Sequence, residues 1–264
     1  ISERDPSWHG VLPNGRATGQ VIRAADVILA VGCRFAHRST QGLLLNLSFS
    51  SAQTLIHLDL DPTVLGRLFK PQLGIVGDAR DGLTRMLEDL GPGRPRDTWD
   101  HTWRAELRGT ANARYTEATA RLIETLRAAL PDDAIVVCDQ TGINYWMEWR
   151  FPVLMPRTFL YPVGSATLGY GVPAAIGAKM ARPDREVWAI VGDGGFQMTQ
   201  AELQTIVQEN VKVNVAIINN GYLGMVRQWQ EFFYQRRYAA TPISGPDFAK
   251  LAEAFGMWGA TVST

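Results

Sequence analysis

The most chemically loaded pattern in the sequence is an aspartate set among glycines, Gly192-Asp-Gly-Gly195, followed by the asparagine pair Asn219-Asn220. Between Gly194 and Asn219 lie 24 residues. Glycines at 192, 194 and 195 let backbone N–H groups close on an anion, as phosphate sites do. No lysine follows them as a P-loop requires, and the third glycine of a dinucleotide fingerprint is missing. Asp193 by itself repels a phosphate. A divalent cation between the two removes the conflict, and the Asn220 side chain with nearby carbonyls offers further hard oxygens. Few protein ligands completed by phosphate oxygens suit Mg²⁺. The reading is a metal-bridged diphosphate. Its plain alternative is a strand-ending turn, where Gly and Asp are common for conformational reasons alone.

The surrounding elements are those that would bring the two loops together. Val187–Val191 and Val213–Ile218 are short β-branched runs, each ending in turn residues, and Gln200–Asn210 between them carries a helical pattern. Thr199 and Glu202 fit a capping box, with Leu203, Ile206 and Val207 as the buried stripe. The whole reads as one βαβ unit, whose right-handed crossover puts both strand ends on one sheet edge. Similar runs at Val27–Val31, Thr54–Leu58, Leu73–Val76 and Ala134–Cys138 alternate with helical stretches. This predicts an α/β protein with two three-layer, parallel-sheet domains. Gly91-Pro-Gly-Arg-Pro-Arg-Asp97 concentrates breakers and charge, marking a linker, and a polar helix is expected from near Thr102 to Leu130.

Composition narrows the function classes. Lys+Arg and Asp+Glu both number 26, giving no net charge and none of the basic excess that nucleic-acid binding requires. Cys33 and Cys138 sit in separate apolar runs and read as buried free thiols in a reducing, cytoplasmic setting. No apolar run approaches the ~20 residues of a membrane span. The four histidines, His9, His37, His57 and His101, all precede the second α/β domain, which excludes a histidine acid–base mechanism there. No G-x-S-x-G elbow occurs. The hard chemistry therefore falls to a bound cofactor. Ile1-Ser-Glu and the strand-like run at Trp258–Thr264 suggest a fragment of a longer enzyme.

The paired Gly-Asp-Gly and Asn-Asn elements resemble the signature of thiamine-diphosphate-dependent enzymes. Within that family the sequence is most similar to the acetolactate synthases. That likeness rests on Gly192-Asp-Gly-Gly-Phe-Gln-Met198, Asn219-Asn-Gly-Tyr-Leu-Gly-Met-Val-Arg-Gln-Trp-Gln230 and Pro246-Asp-Phe-Ala-Lys-Leu-Ala-Glu-Ala-Phe-Gly256. It implies a truncated central nucleotide-fold domain over residues 1–92, a linker and connecting helix over 93–118, and a thiamine-diphosphate-binding domain over 119–264. The implied activity is decarboxylation of pyruvate and transfer of its two-carbon unit to a second 2-oxo acid. The implied assembly is a homodimer or homotetramer with the cofactor at a subunit interface.

By the family pattern, Asp193 and Asn220 ligate Mg²⁺ through side chains and Tyr222 through its carbonyl. Gln140, Thr141 and Gly142 approach the diphosphate from a neighbouring loop, as do Gly194, Gly195, Leu223 and Gly224 around the metal. In Val163-Gly-Ser-Ala-Thr-Leu-Gly-Tyr-Gly-Val-Pro173, Leu168 is the apolar wedge beneath the cofactor and the Ala166 carbonyl accepts from its 4′-amino group. The bland reading of that run is a helix entry at Pro173 with Gly177 packed closely. Met225 borders the cofactor and Trp229 projects into the second-substrate pocket. The stripe Met225, Trp229 and Phe232 reads equally as core or subunit interface.

Departures from the family fall near the reacting centre. Thr141-Gly-Ile-Asn144 stands where a Gly-Gln-His-Gln run is usual, and a glycine expected near Ala166 is replaced. Gly32-Cys-Arg-Phe-Ala-His-Arg38 and His57-Leu-Asp-Leu-Asp-Pro62 resemble segments that hold FAD in acetolactate synthases, but Ala36 and His37 replace acidic residues, so FAD is left open. The family's activating glutamate belongs to an N-terminal domain outside this chain. No catalytic residue is assigned here: Glu148 reads as a loop residue, Glu202 as a cap and Glu209 as a solvated helix residue. The chain alone is expected to be inactive.

Overall fold

A computed structural model describes Arg4, Trp8 and residues 15–35, 49–93 and 117–263. The chain divides into two compact units, Pro6–Tyr115 and Thr116–Thr264, the second joined by Ile1–Asp5.

In the first unit, β1 (Val27–Val31), β2 (Thr54–Asp59) and β3 (Leu73–Val76) form a parallel sheet in that order. Leu55 and Leu58 of the central strand are almost fully buried. Helix α1 (Gly15–Ala24) precedes the sheet and α2 (Ala79–Leu90) follows it. Asp78 caps α2, its side chain accepting from the Arg80 and Asp81 amides. A Cβ at Gly82 would lie 2.7 Å from Leu58 Cδ2, so the helix rests on the sheet through its glycine. His57 is buried: its Nε2 meets the Cys33 carbonyl at 2.9 Å, and its ring packs edge-on to Phe35. Cys33 is half-buried rather than buried, while Cys138 is buried, and both are free thiols. Ala36 and His37 lie outside the described residues.

The second unit is a four-stranded parallel sheet, ordered β5 (Phe159–Leu160), β4 (Ile135–Cys138), β6 (Val187–Gly192), β7 (Asn214–Ile218). Side chains alternate across a strand, so β4 and β6 feed two cores. Ile135, Val137, Val187, Ala189 and Val191 pack on α5 (Gly171–Ala181), α6 (Asp193–Thr199) and α7 (Glu202–Gln208). Val136, Cys138 and Ile190 face α3 (Glu117–Ala129) and α4 (Asn144–Arg150). Helices on both faces make this a three-layer α/β unit. Two helices complete it, α8 (Gly224–Phe233) and α9 (Phe248–Ala254).

Several local expectations are corrected. Strand β6 passes directly into α6 at Asp193, so Thr199 ends a helix instead of capping one. Ala201 precedes α7 with no side-chain cap bond, and Glu202 Oε2 accepts from Thr205 Oγ1 within α7. Leu203 and Ile206 are buried, but Val207 is exposed because two helical pieces separated at Gln200–Ala201 present a narrower face. Glu148 lies on α4, not in a loop. Helix α5 starts at Gly171 rather than Pro173, and a Cβ on Gly177 would meet nothing within 4 Å. The close-packed glycine is Gly171, whose Cβ would fall 2.4 Å from Val191 Cγ1. Of the long polar helix, only Glu117–Ala129 falls within the described residues.

Candidate functional site

Pairing of Gly192 with Ile218 in the β6–β7 register delivers Asp193 and the Asn219-Asn220 loop side by side at one sheet edge. Asp193 is 4% exposed. Its Oδ2 accepts from the Gly221 amide at 2.9 Å, clipping the two loops together. Asn220 Oδ1 accepts from the Tyr222 amide at 2.9 Å, and Gly221 between them takes φ +69°, a left-handed turn that favours glycine. Beyond this turn, residues 221–223 are held by a second segment. The Leu223 amide donates to the Thr241 carbonyl and the Ile243 amide to the Gly221 carbonyl, both at 2.9 Å. A Cβ at Gly194 would sit 3.0 Å from Leu223 Cδ2, so glycine permits this approach.

Above this edge lies a cavity of about 670 Å³, in the range of small-molecule sites. Gln140, Thr141 and Gly142 at the end of β4 form one wall; Ala166 and Leu168 form a second; Asp193, Gly194 and Gly195 a third. Asn220, Tyr222, Leu223, Gly224, Met225 and Trp229 complete it. All fourteen positions singled out in the sequence thus line one cavity. Met225, Trp229 and Phe232 are 40%, 54% and 68% exposed, so the core reading of that stripe does not hold within this chain.

The charged chemistry centres on Asp193. Asp193 is the only ionisable carboxylate among the lining residues, with the Asn220 amide and the Tyr222 backbone beside it. Among the described residues no cluster of three or more His, Cys, Asp or Glu could hold a metal. A cation here would instead take one carboxylate, an amide oxygen, a carbonyl and ligand oxygens, which is Mg²⁺-type chemistry. Asp193 keeps Oδ1 free of hydrogen bonds among the described residues, and Thr141 Oγ1 is buried without a partner. Those atoms fit a cation and a bound phosphate respectively. The lining also offers Leu168, Met225, Val226 and Trp229, apolar side chains suited to flat rings.

Comparison with known proteins agrees with this layout. Residues 139–264 match the C-terminal TPP-binding domain of the thiamine pyrophosphate enzymes, and residues 1–86 match their central domain. The chain belongs to the thiamine pyrophosphate enzyme family. It is 38% identical over 266 residues to the acetolactate synthase large subunit of Corynebacterium glutamicum, covering 95% of this chain and 41% of that one. Acetolactate synthase of Mycobacterium avium is 36% identical over 275 residues, covering 96% of this chain and 42% of that one. Acetolactate synthase isozyme 3 large subunit of Escherichia coli is 38% identical over 251 residues, covering 90% and 43%. The chain therefore spans about two fifths of the length of these relatives.

Sequence reasoning missed several lining residues of this thiamine pyrophosphate enzyme: Asn144, Tyr145, Trp146, Val226 and Gln228. The first three begin α4, one turn beyond the Gln140–Gly142 loop, and the signal was the short spacing from the end of β4. Asn144 is 1% exposed, its Nδ2 donating to Gln140 Oε1 at 2.6 Å and to the Tyr161 hydroxyl at 3.0 Å. Tyr145 donates its hydroxyl to Met225 Sδ at 3.2 Å. Asp139, also overlooked, is fully buried behind the cavity wall. Burial pushes its carboxyl above the usual carboxylate range, against the opposing pull of the backbone amides of Gly171, Gln140 and Gly169. No helix among the described residues is long and apolar enough to cross a membrane.

Proposed function

We propose that the protein acts in thiamine-diphosphate- and Mg²⁺-dependent decarboxylation and carboligation of 2-oxo acids, converting pyruvate to 2-acetolactate as an acetolactate synthase does. The observation that supports this best is the convergence of three loops and the first turns of α4, α6 and α8 on a single cavity, whose lining carries the Asp193 carboxylate together with Leu168, Met225, Val226 and Trp229.

When bound, thiamine diphosphate supplies the electron sink for decarboxylation and two-carbon transfer. This chain's residues then have separate tasks. Asp193, the Asn220 side chain and the Tyr222 carbonyl would hold Mg²⁺ for the diphosphate. Gln140, Thr141 and Gly142 meet the phosphates from the β4 side, with Gly194, Gly195, Leu223 and Gly224 forming the floor. The Ala166 carbonyl would accept from the aminopyrimidine, and Leu168 would give the rings an apolar support. Met225 and Trp229 border the space left for substrate, excluding water and favouring loss of CO₂ from an apolar setting.

The proposal includes a homodimer or homotetramer with the cofactor near a subunit boundary. Phe232 and Phe233, 68% and 62% exposed on α8, are apolar surface for such a partner. FAD remains an alternative ligand of the central unit, tested by flavin absorbance of the purified protein. A product assay on the full-length protein that carries this chain, given pyruvate with and without a second 2-oxo acid, tests the activity. Acetolactate supports it, whereas acetaldehyde alone points to a simple decarboxylase. Calorimetric titration showing no binding of thiamine diphosphate with Mg²⁺ would reduce the second unit to a non-catalytic nucleotide-fold module.

A further inference from the structure

Asp139 has no role in the proposed chemistry, yet it sits where three walls of the cavity meet. Its side chain is fully buried at the C-terminal end of β4. Oδ1 accepts from the Gln140 amide at 2.6 Å. Oδ2 accepts from the Gly169 amide at 3.1 Å and the Gly171 amide at 3.0 Å. The cradle around it is made of glycine. A Cβ at Gly171 would lie 3.0 Å from Asp139 Cβ, and one at Gly195 would lie 3.1 Å from Asp139 Oδ2. Gly195 belongs to α6, so the carboxylate touches the β4 loop, the 164–171 loop and the helix that starts at Asp193.

The 164–171 loop needs such an anchor. Gly164, Ala166 and Gly169 all take positive φ, at 102°, 50° and 83°. For Ala166 that left-handed conformation is strained and persists only where the surroundings impose it. Two of the amides that hold Asp139 flank Tyr170, immediately after Leu168. Backbone N–H donors to a carboxylate are charge-assisted, and in a buried setting a missing acceptor leaves them unsatisfied.

We infer that Asp139 is a positioning residue that pre-forms the ring-binding end of the cavity, fixing the loop that carries Ala166 and Leu168 before any cofactor arrives. This rests on the functional reading above. The diphosphate end depends on it less: Asp139 bonds the Gln140 amide there, but Asp193 and the 220–222 turn are tied to each other directly.

The test compares two ligands on the purified protein and its Asp139→Asn variant: thiamine diphosphate with Mg²⁺, and inorganic diphosphate with Mg²⁺. Asn keeps the shape but turns an NH₂ toward an N–H donor. Thiamine diphosphate affinity is expected to fall at least tenfold while inorganic diphosphate affinity changes less than twofold. A general loss of structure would lower both together, and that result, or no change in either, overturns the inference while leaving the functional reading standing. Failure of the unsubstituted protein to bind thiamine diphosphate overturns both. Should Asp139→Asn not fold, amide exchange on the unsubstituted, cofactor-free protein decides the matter. Slow exchange at Gly169 and Gly171 is expected, and fast exchange that slows only on adding thiamine diphosphate overturns the pre-formed loop.

Discussion

The Asp193 carboxylate accepts the Gly221 amide at 2.9 Å, so the acid of one strand-end loop is bonded to the turn of the next. One oxygen of Asp193 thereby fixes the distance between the proposed metal ligands, and the other is left for the ion. In the proposed site the side chain does structural and metal-binding work at once, and the two can be separated by chemistry.

Asp193→Asn keeps an oxygen for the Gly221 amide and removes the charge. The variant is expected to retain its melting temperature within a few degrees while Mg²⁺-dependent thiamine diphosphate binding weakens by on the order of 100-fold, the upper range for disrupting a metal site's supporting groups. Calorimetry across a Mg²⁺ series reads this directly. Unchanged affinity would remove Asp193 from the metal site.

Two glycines of α5 make opposite predictions. At Gly171 an added methyl meets Val191 Cγ1 at 2.4 Å and Asp139 Cβ at 3.0 Å, contacts that force the short, buried Val191 side chain or its strand to shift. Gly171→Ala is expected to destabilise the protein by about 1–3 kcal/mol or more, as overpacking does. At Gly177 the methyl meets nothing within 4 Å. Gly177→Ala is expected to stabilise by about 0.5–1 kcal/mol through helix propensity. Denaturant unfolding of both variants checks the contrast.

Ala166 carries left-handed strain at φ 50° that glycine does not feel. Ala166→Gly is expected to raise stability by up to about 1 kcal/mol, the left-handed penalty less glycine's greater unfolded-state entropy. Chemical denaturation measures it. A fall in stability would mean that the Ala166 methyl makes packing contacts worth more than the strain.

These contrasts show which parts of the molecule the sequence reveals. Strands β4 and β6 were legible because both faces of each are covered, so every residue from Ile135 to Cys138 is apolar. The Asp193 and Asn220 loops were legible because each ends such a strand. Strand β5 was not, since only Phe159 and Leu160 pair and two residues show no periodicity. The capping box at Thr199 misled because its local pattern is sound. Continuation of the chain from Gly192 straight into α6 overrode it. Asp139 escaped notice for a different reason: its partners are backbone amides, two of them about 30 residues away, and backbone donors leave no mark in side-chain composition.

Cys138 provides a pH prediction. Burial drives its thiol far above the ordinary value of 9.0, with the nearby Asp139 charge adding to the effect. In the folded protein it stays neutral where the unfolded chain ionises. Its contribution to stability is therefore complete below about pH 9 and declines as pH rises beyond that, since only the unfolded state releases the proton. Replacing it, as in Cys138→Ala, is expected to lower stability at neutral pH and to narrow the gap to wild type on the alkaline side. Alkylation should label Cys33 alone in the native protein, and early labelling of Cys138 would contradict its enclosure.

Trp229 offers the clearest test of the proposed acceptor pocket in the full-length protein, because its helix is held independently of it. Gln230 is doubly bonded to Ala239, its Nε2 donating to the Ala239 carbonyl at 2.9 Å and its Oε1 accepting the Ala239 amide at 3.0 Å. Arg227 lies over the Tyr222 ring at 4.1 Å and the Tyr238 ring at 5.3 Å. On the cavity side, Tyr145 braces Met225 one turn before Trp229. With α8 fixed on both sides, truncating a half-exposed indole enlarges the pocket without releasing the helix. Trp229→Leu is expected to leave the melting temperature nearly unchanged and to shift kcat/KM toward bulkier 2-oxo acid acceptors by about 10- to 200-fold, the discrimination that a hydrophobic pocket commands through size. Competition between a small and a branched acceptor in one reaction, read by product ratio, measures the shift. An unchanged ratio would place the acceptor away from Trp229, leaving its exposed ring to serve contact with another chain.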